Sequence, residues 1–354
     1  MGGATINLGV IGMGLRNMAS TLTLLEREPD LRYRLTGMCA VPREAAEECA
    51  RAFKIPFCTT DYRELVARKD VDVVAVYSPD HLHAEHCAAA LEAGKHVVCT
   101  KPMVTTLDDA KRLVALARRM KRKFLVGQTM RFDRQFQAAH RLLADGDLGE
   151  LIALESYYVH DMRPVFSITP WRLTVPQDLM FGGCVHSIDV LRAFGGDVAA
   201  VHANARKGNL TEEYPLPDNF FINLQFGSGV IGRVSGLYGI VHPPTPMMQF
   251  GIYGTKGSLQ AEFTDNQPGQ IRLVLDKLPG RKPMVSIFEP EHDLSAYGHG
   301  ATVIRYMRHF QHCLDTDSEP SPGVLDGAKA VAVGVAAWES VRTGQVTEPF
   351  NAFE

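Results

Sequence analysis

The stretch Ile6-Asn7-Leu8-Gly9-Val10-Ile11-Gly12-Met13-Gly14 decides the fold. Residues 6–11 read as a short apolar strand, the glycines break it, and an apolar-periodic helix follows through about Glu28. The same alternation continues outward. Residues 34–41 form a second strand, and Pro42-Arg43-Glu44 opens a helix with proline near its first position and an acid in its first turn. Residues 71–77 (Val-Asp-Val-Val-Ala-Val-Tyr) are β-branched and largely apolar on both faces, as a strand covered on both sides should be. A helix over 84–93 ends at Gly94, a strand over 95–99 follows, then an amphipathic helix over 107–121 and a strand over 124–127. Strands alternating with helices predict a doubly wound parallel α/β sheet for residues 1–127.

Beyond Gln128 the texture changes. Alternating stretches at 151–158, 220–226, 230–238, 249–253 and 258–263 are separated by turns such as Phe226-Gly227-Ser228-Gly229 and Gly254-Thr255-Lys256-Gly257. Helices interrupt them near 187–194 and 302–314, and one over 325–341 closes the chain. Residues 128–354 are therefore expected to form an α+β domain on a large, mostly antiparallel open sheet. A length of 354 residues fits two domains at ~150 residues each.

Composition excludes several classes. Lys plus Arg total 37 against 40 for Asp plus Glu, a net charge of −3, so no basic footprint for nucleic acid is present. A hydrophobic share of 45% with 22% charged residues excludes a disordered chain. The first ten residues carry no export signal, Ile6 stands where myristoylation favours Ser or Thr, and no run reaches the roughly 18 apolar residues of a membrane span. The seven cysteines (Cys39, Cys49, Cys58, Cys87, Cys99, Cys184, Cys313) form no Cys-x-x-Cys pair. No metal site is expected, and a reducing cytoplasm is the expected compartment.

The first strand-to-helix turn, Gly12-Met13-Gly14-Leu15-Arg16, suits a dinucleotide. Gly12 permits the tight turn, and Gly14 lets a pyrophosphate approach the helix N-terminus. The third glycine of that fingerprint is replaced by Asn17. The second strand ends at Ala40 rather than at an acid that would hold the adenosine ribose of NAD, and Arg43 follows. NAD or NADP is expected, with a lean toward NADP, since no carboxylate repels a 2′-phosphate.

The run Tyr77-Ser78-Pro79-Asp80-His81-Leu82-His83 leads through Ala93-Gly94-Lys95-His96-Val97-Val98-Cys99 to Thr100-Lys101-Pro102. It closely resembles the family of glucose–fructose oxidoreductase, inositol dehydrogenase and rhizopine-catabolism proteins (Gfo/Idh/MocA). Asp147-Leu148-Gly149-Glu150, Gly182-Gly183-Cys184-Val185-His186-Ser187-Ile188-Asp189 and Gly251-Ile252-Tyr253-Gly254 echo it further. The resemblance implies an oxidoreductase with a Rossmann domain and a second domain whose open sheet forms the substrate face and an oligomer contact, in a homodimer or homotetramer. Lys101 and His186 then fall on catalytic positions. A desolvated lysine near a cationic nicotinamide polarises or relays at the reacting oxygen, and an imidazole takes the hydroxyl proton. Ser78, Pro79, His81, His83, Thr100, Lys101 and Gln128 join the cofactor set. Arg131, Tyr157, Arg163, Trp171, Arg172 and Asp189 join Lys101 and His186 against a sugar or polyol. Tyr157, His160, Asp161 and Arg163 are a mixed polar and aromatic set of the kind that lines sugar sites, and His299 is a further candidate from the C-terminal segment.

Two positions depart from the family pattern. Gly182 stands where many relatives carry Asp, and Thr100 replaces Glu before the lysine. His186 thus lacks its usual carboxylate partner, Asp189 or a substrate hydroxyl is left to compensate, and glycine is expected to widen the pocket. The leading expectation is an NAD(P)-dependent interconversion of a secondary alcohol and a ketone on a sugar, sugar acid or cyclitol. The alternatives are a glycoside hydrolase or lyase working through a transient keto-sugar, and a non-catalytic dinucleotide sensor.

Overall fold

The computed structural model describes residues 3–12, 25–263, 270–276, 284–288 and 299–353. Met13, Gly14, Leu15 and Arg16 lie outside the described residues, and so does the side chain of His299. The chain divides into two units, one of residues 1–129, 299–328 and 353–354, the other of residues 130–298 and 329–352.

The first unit is built on six parallel strands: β1 (Ile6–Ile11), β2 (Tyr33–Cys39), β3 (Cys58–Thr59), β4 (Val73–Val76), β5 (His96–Thr100) and β6 (Phe124–Gly127). Their order is β3-β2-β1-β4-β5-β6, the doubly wound arrangement. Val73 to Val76 are fully buried, which accounts for the unbroken apolar run in the sequence. The two-residue β3 is too short to leave a periodic signal. Helices Arg43–Ala52, His83–Glu92 and Leu107–Met120 connect the strands. The last begins where the Thr106 hydroxyl accepts from the Asp109 N–H (3.1 Å) and ends at Lys121, in the left-handed region with φ 50°. Its buried stripe, Ala110, Leu113, Val114 and Ala117, has helical spacing.

The expected single boundary at 127/128 divides the chain once, whereas residues 299–328 return to the first unit. Specific contacts hold them there. Tyr306 and Tyr77 share a hydroxyl hydrogen bond of 2.5 Å, the Tyr33 hydroxyl donates to the Met307 carbonyl, and Lys123 pairs with Glu319 at 2.7 Å. Those partners lie far apart in sequence, so no local pattern announces them.

The second unit carries eight strands: β7 (Leu151–Val159), β8 (Val198–Arg206), β9 (Asn219–Phe226), β10 (Ile231–Leu237), β11 (Met248–Gly254), β12 (Gly257–Phe263), β13 (Ile271–Leu275) and β14 (Met284–Phe288). The order is β14-β13-β12-β11-β7-β10-β9-β8; β7 and β10 run parallel and every other pair antiparallel. Helix Val185–Gly195 packs on β7 and β10, over Leu154 and Val234. The opposite face shows Phe221, Ile231 and Tyr253 to solvent, with Arg233 paired to Glu155 at 2.7 Å. Period-two alternation thus sorts one face to the core and the other outward.

Gly12 ends β1 with φ +87°, and a Cβ there would stand 2.5 Å from the Ser78 nitrogen and 2.6 Å from the Tyr77 carbonyl oxygen. Gly12→Ala combines a left-handed residue with a backbone clash, so urea unfolding should show a loss of about 1–3 kcal/mol. An unchanged midpoint would contradict this account of the turn.

Candidate active site

Parallel sheets of this order place ligands outside the carboxyl ends of their strands. Four strand ends meet that description here. After β1, Gly12 donates to the Cys39 carbonyl at 2.8 Å. After β4, the Ser78 hydroxyl bonds His86 Nδ1 at 2.8 Å, and burial pushes His86 down to about 4, so the ring is neutral at pH 7. Pro79 and Asp80 continue the turn, with His81 exposed and its N–H on the Asp80 carboxylate at 3.0 Å. After β5, Thr100 and Lys101 are half-buried. After β6, Gln128 is 2% exposed, and its Oε1 has no hydrogen-bond partner among the described residues. A buried carbonyl of that kind suits a ligand N–H.

His83 is placed differently from its neighbour His81. Its ring is buried, with Nδ1 2.7 Å from the Pro102 carbonyl oxygen and Nε2 2.8 Å from that of Ser78. Ala40 is buried at the end of β2, while Arg43 is exposed, with Glu47 at 3.8 Å and the Thr60 hydroxyl at 3.4 Å. The described strand ends therefore offer a close-approach glycine, an orphaned buried acceptor and a lysine in one row. Those features fit a dinucleotide.

In the second unit, His186 lies in the first turn of helix Val185–Gly195, just after a π-helical turn over Met180–Cys184. Irregular turns of that kind recur at functional sites. The His186 ring is 8% exposed and stands 6.3 Å from the Tyr158 ring, which in turn stacks 6.1 Å from His160. His160 and Asp161 line an open cavity of about 430 Å³ with Val159, His242, Thr245 and Met247. Arg163 grips Asp161 through two hydrogen bonds of 2.9 and 2.6 Å, which hold the carboxyl well below the usual carboxylate range.

Several expected residues have other partners. Asp189 is 1% exposed and takes both nitrogens of a bidentate Arg131 guanidinium, at 2.7 and 2.6 Å. Its carboxylate is thus engaged by Arg131. Tyr157 lies on the open sheet face, where its hydroxyl accepts from Arg233 at 3.0 Å. Successive strand residues point to opposite faces, so Tyr158 is the tyrosine beside His186. Reading β7 strictly at period two would have found it. Arg172 stacks 4.5 Å from the Trp171 ring and donates to the Thr169 hydroxyl and to Gln177 Oε1.

The expected widening at Gly182 is absent. A Cβ there would lie 2.9 Å from Gln177 Cδ, so the Gln177 side chain already fills the space. Gln177 was invisible to sequence reasoning because it belongs to no motif.

Comparison with known proteins adds an independent line. Residues 6–128 match the oxidoreductase family with the NAD-binding Rossmann fold, and residues 140–348 match that family's C-terminal alpha/beta domain. The chain is 25% identical to levoglucosan dehydrogenase of Pseudarthrobacter phenanthrenivorans over 95% of its length and 96% of the relative's. It is 28% identical to 1,5-anhydro-D-fructose reductase of Ensifer adhaerens, covering 82% and 83%. It is 30% identical to inositol 2-dehydrogenase 2 of Saccharopolyspora erythraea, covering 69% and 75%. Among solved structures, levoglucosan dehydrogenase in complex with NADH and levoglucosan shares the fold, with a TM-score of 0.87 at 22% identity over 98% of this chain and 99% of that one.

Removing Arg131 would leave Asp189 charged and buried without its ion-pair partner. Arg131→Ala is expected to cost about 3–5 kcal/mol in urea unfolding, against a smaller loss for Arg131→Lys. Equal stability of Arg131→Ala and the parent would refute a structural ion pair.

Proposed function

The chain belongs to the Gfo/Idh/MocA family of oxidoreductases acting on CH–OH groups, and from that premise we propose that it interconverts a secondary alcohol and a ketone on a sugar, sugar acid or cyclitol. The observation that carries this reading is the Thr100-Lys101-Pro102 segment, retained at the carboxyl end of β5 in a sheet of dinucleotide-binding order.

A bound nicotinamide supplies the hydride acceptor in oxidation and the donor in reduction. The protein's part is orientation and proton handling. Gly12 makes the tight turn, Gly14 lets a pyrophosphate approach the backbone, and Gln128 Oε1 accepts from the cofactor. Lys101 polarises the reacting oxygen or relays its proton, and His186 takes the hydroxyl proton in the direction of oxidation. Tyr158, His160 and the Asp161–Arg163 pair present rings and fixed polar groups to a polyol. Trp171 and Arg172 stay in the substrate set. Tyr157 leaves it, because it faces the other side of the sheet.

Ala40 and Arg43 support the lean toward NADP. Among the described residues Arg43 makes exposed contacts, which are worth about 0–1 kcal/mol, so it can turn to a 2′-phosphate. The exposed face bearing Phe221, Ile231 and Tyr253 is where we place a homo-oligomer contact. No described helix is long and apolar enough to cross a membrane. The hydrolase or lyase alternative drew on a wide pocket at Gly182, and Gln177 removes that support.

The test is a screen of NAD⁺ and NADP⁺ reduction over levoglucosan, myo-inositol, aldoses and aldonic acids, run beside Lys101→Ala and His186→Ala. Each variant should lose roughly 10²–10⁴-fold in kcat while still binding NADH. Absence of turnover with every substrate, or full activity in both variants, would sink the proposal.

A further inference from the structure

The His83 ring is 1% exposed, and both of its nitrogens face backbone carbonyl oxygens, Pro102 at 2.7 Å and Ser78 at 2.8 Å. A carbonyl oxygen only accepts. A neutral imidazole has one N–H, so one of the two contacts would set lone pair against lone pair. An imidazolium donates to both, as charge-assisted hydrogen bonds. The two acceptors belong to different strand ends, since Ser78 follows β4 and Pro102 follows β5.

We propose that His83 is a positioning residue: doubly protonated, it ties the Ser78 carbonyl to the Pro102 carbonyl and so fixes the Lys101-Pro102 segment at the carboxyl edge of the sheet. The inference rests on the role given to Lys101 above, and it adds a second basic group that acts through the first.

The surroundings agree. Burial opposes the charge on His83, but Cys99 and the two carbonyls favour it, and its pKa rises to about 9. Of the groups around it, burial keeps His86 neutral, at about 4, and pushes the Cys87 thiol well up. Cys99 is raised by burial but lowered further by its Cys87 hydrogen bond and by His83, to about 6. The two carbonyl oxygens hold the charge between them, and a buried charge persists when it is hydrogen-bonded. Asp80, in the preceding turn, accepts from the His81 N–H.

The experiment has two arms. In the full-length protein labelled with ¹⁵N-histidine, the ring signals assigned through His83→Gln should show both nitrogens protonated at pH 7. A single protonated nitrogen overturns the proposal. In the second arm NADH is titrated by fluorescence. His83→Leu should weaken binding at least about tenfold in the parent but less than about twofold in the Lys101→Ala background, because the two act as one unit. Equal losses in both backgrounds overturn the proposal. His83→Gln, whose amide nitrogen can donate to both carbonyls, should bind NADH more tightly than His83→Leu and serves as the folded comparator. Failure of the parent to bind NADH would instead defeat the cofactor reading, and the ring spectrum would still decide the protonation of His83.

Discussion

A parallel sheet leaves its last carbonyls without a strand partner, and those carbonyls stand where a Rossmann domain does its chemistry. In this protein the carbonyls of Ser78 and Pro102, each two residues past the end of its strand, meet on one buried imidazole. An unsatisfied carbonyl in such a place would cost about 1–3 kcal/mol, so the contact is a requirement of the fold before it is anything else. It also settles which way Lys101 leaves the sheet. The same edge holds Gly12, which can pass under Ser78 only because it has no side chain. Position at this edge is thus fixed by backbone satisfaction and close approach, not by a catalytic constellation of its own.

The second unit solves a different problem. Its sheet is covered on one side, so each strand must separate a core face from a solvent face, and a one-residue shift would exchange them. Helix Val185–Gly195 brings His186 onto the covered side. Arg131 and Asp189 then anchor that helix through a buried bidentate pair. Such a pair gives little net stability over an apolar replacement, because desolvation offsets most of the attraction. Its contribution is geometric: two parallel bonds define the helix rotation three residues from His186.

What was legible in the sequence followed period and punctuation. The strand at 73–76 and the helix at 107–120 announce themselves through local pattern, and both lie where expected. Lys101 was legible because a motif brackets it. The return of residues 299–328 to the first unit was not, since Tyr306 on Tyr77 and Lys123 on Glu319 are bonds between segments with no shared periodicity. Tyr157 was chosen over Tyr158 because composition treats neighbours alike, whereas a strand sends them to opposite faces. Asp189 was expected near His186 on helical spacing, and it is near in sequence. It also forms a bidentate pair with Arg131, 58 residues away.

Gly182 shows most clearly how a departure from a family pattern should be read. Taken alone, the loss of a side chain implies a hole, and a hole implies a larger ligand or different chemistry. Protein interiors are packed too tightly for that inference to hold without the neighbours. Gln177 lies against Gly182, its backbone carbonyl is taken by the buried Tyr214 hydroxyl at 2.6 Å, and its amide oxygen is taken by Arg172. A neutral amide held by a guanidinium therefore stands in place of a carboxylate. The space beside Gly182 is therefore filled by an anchored amide side chain and not left open.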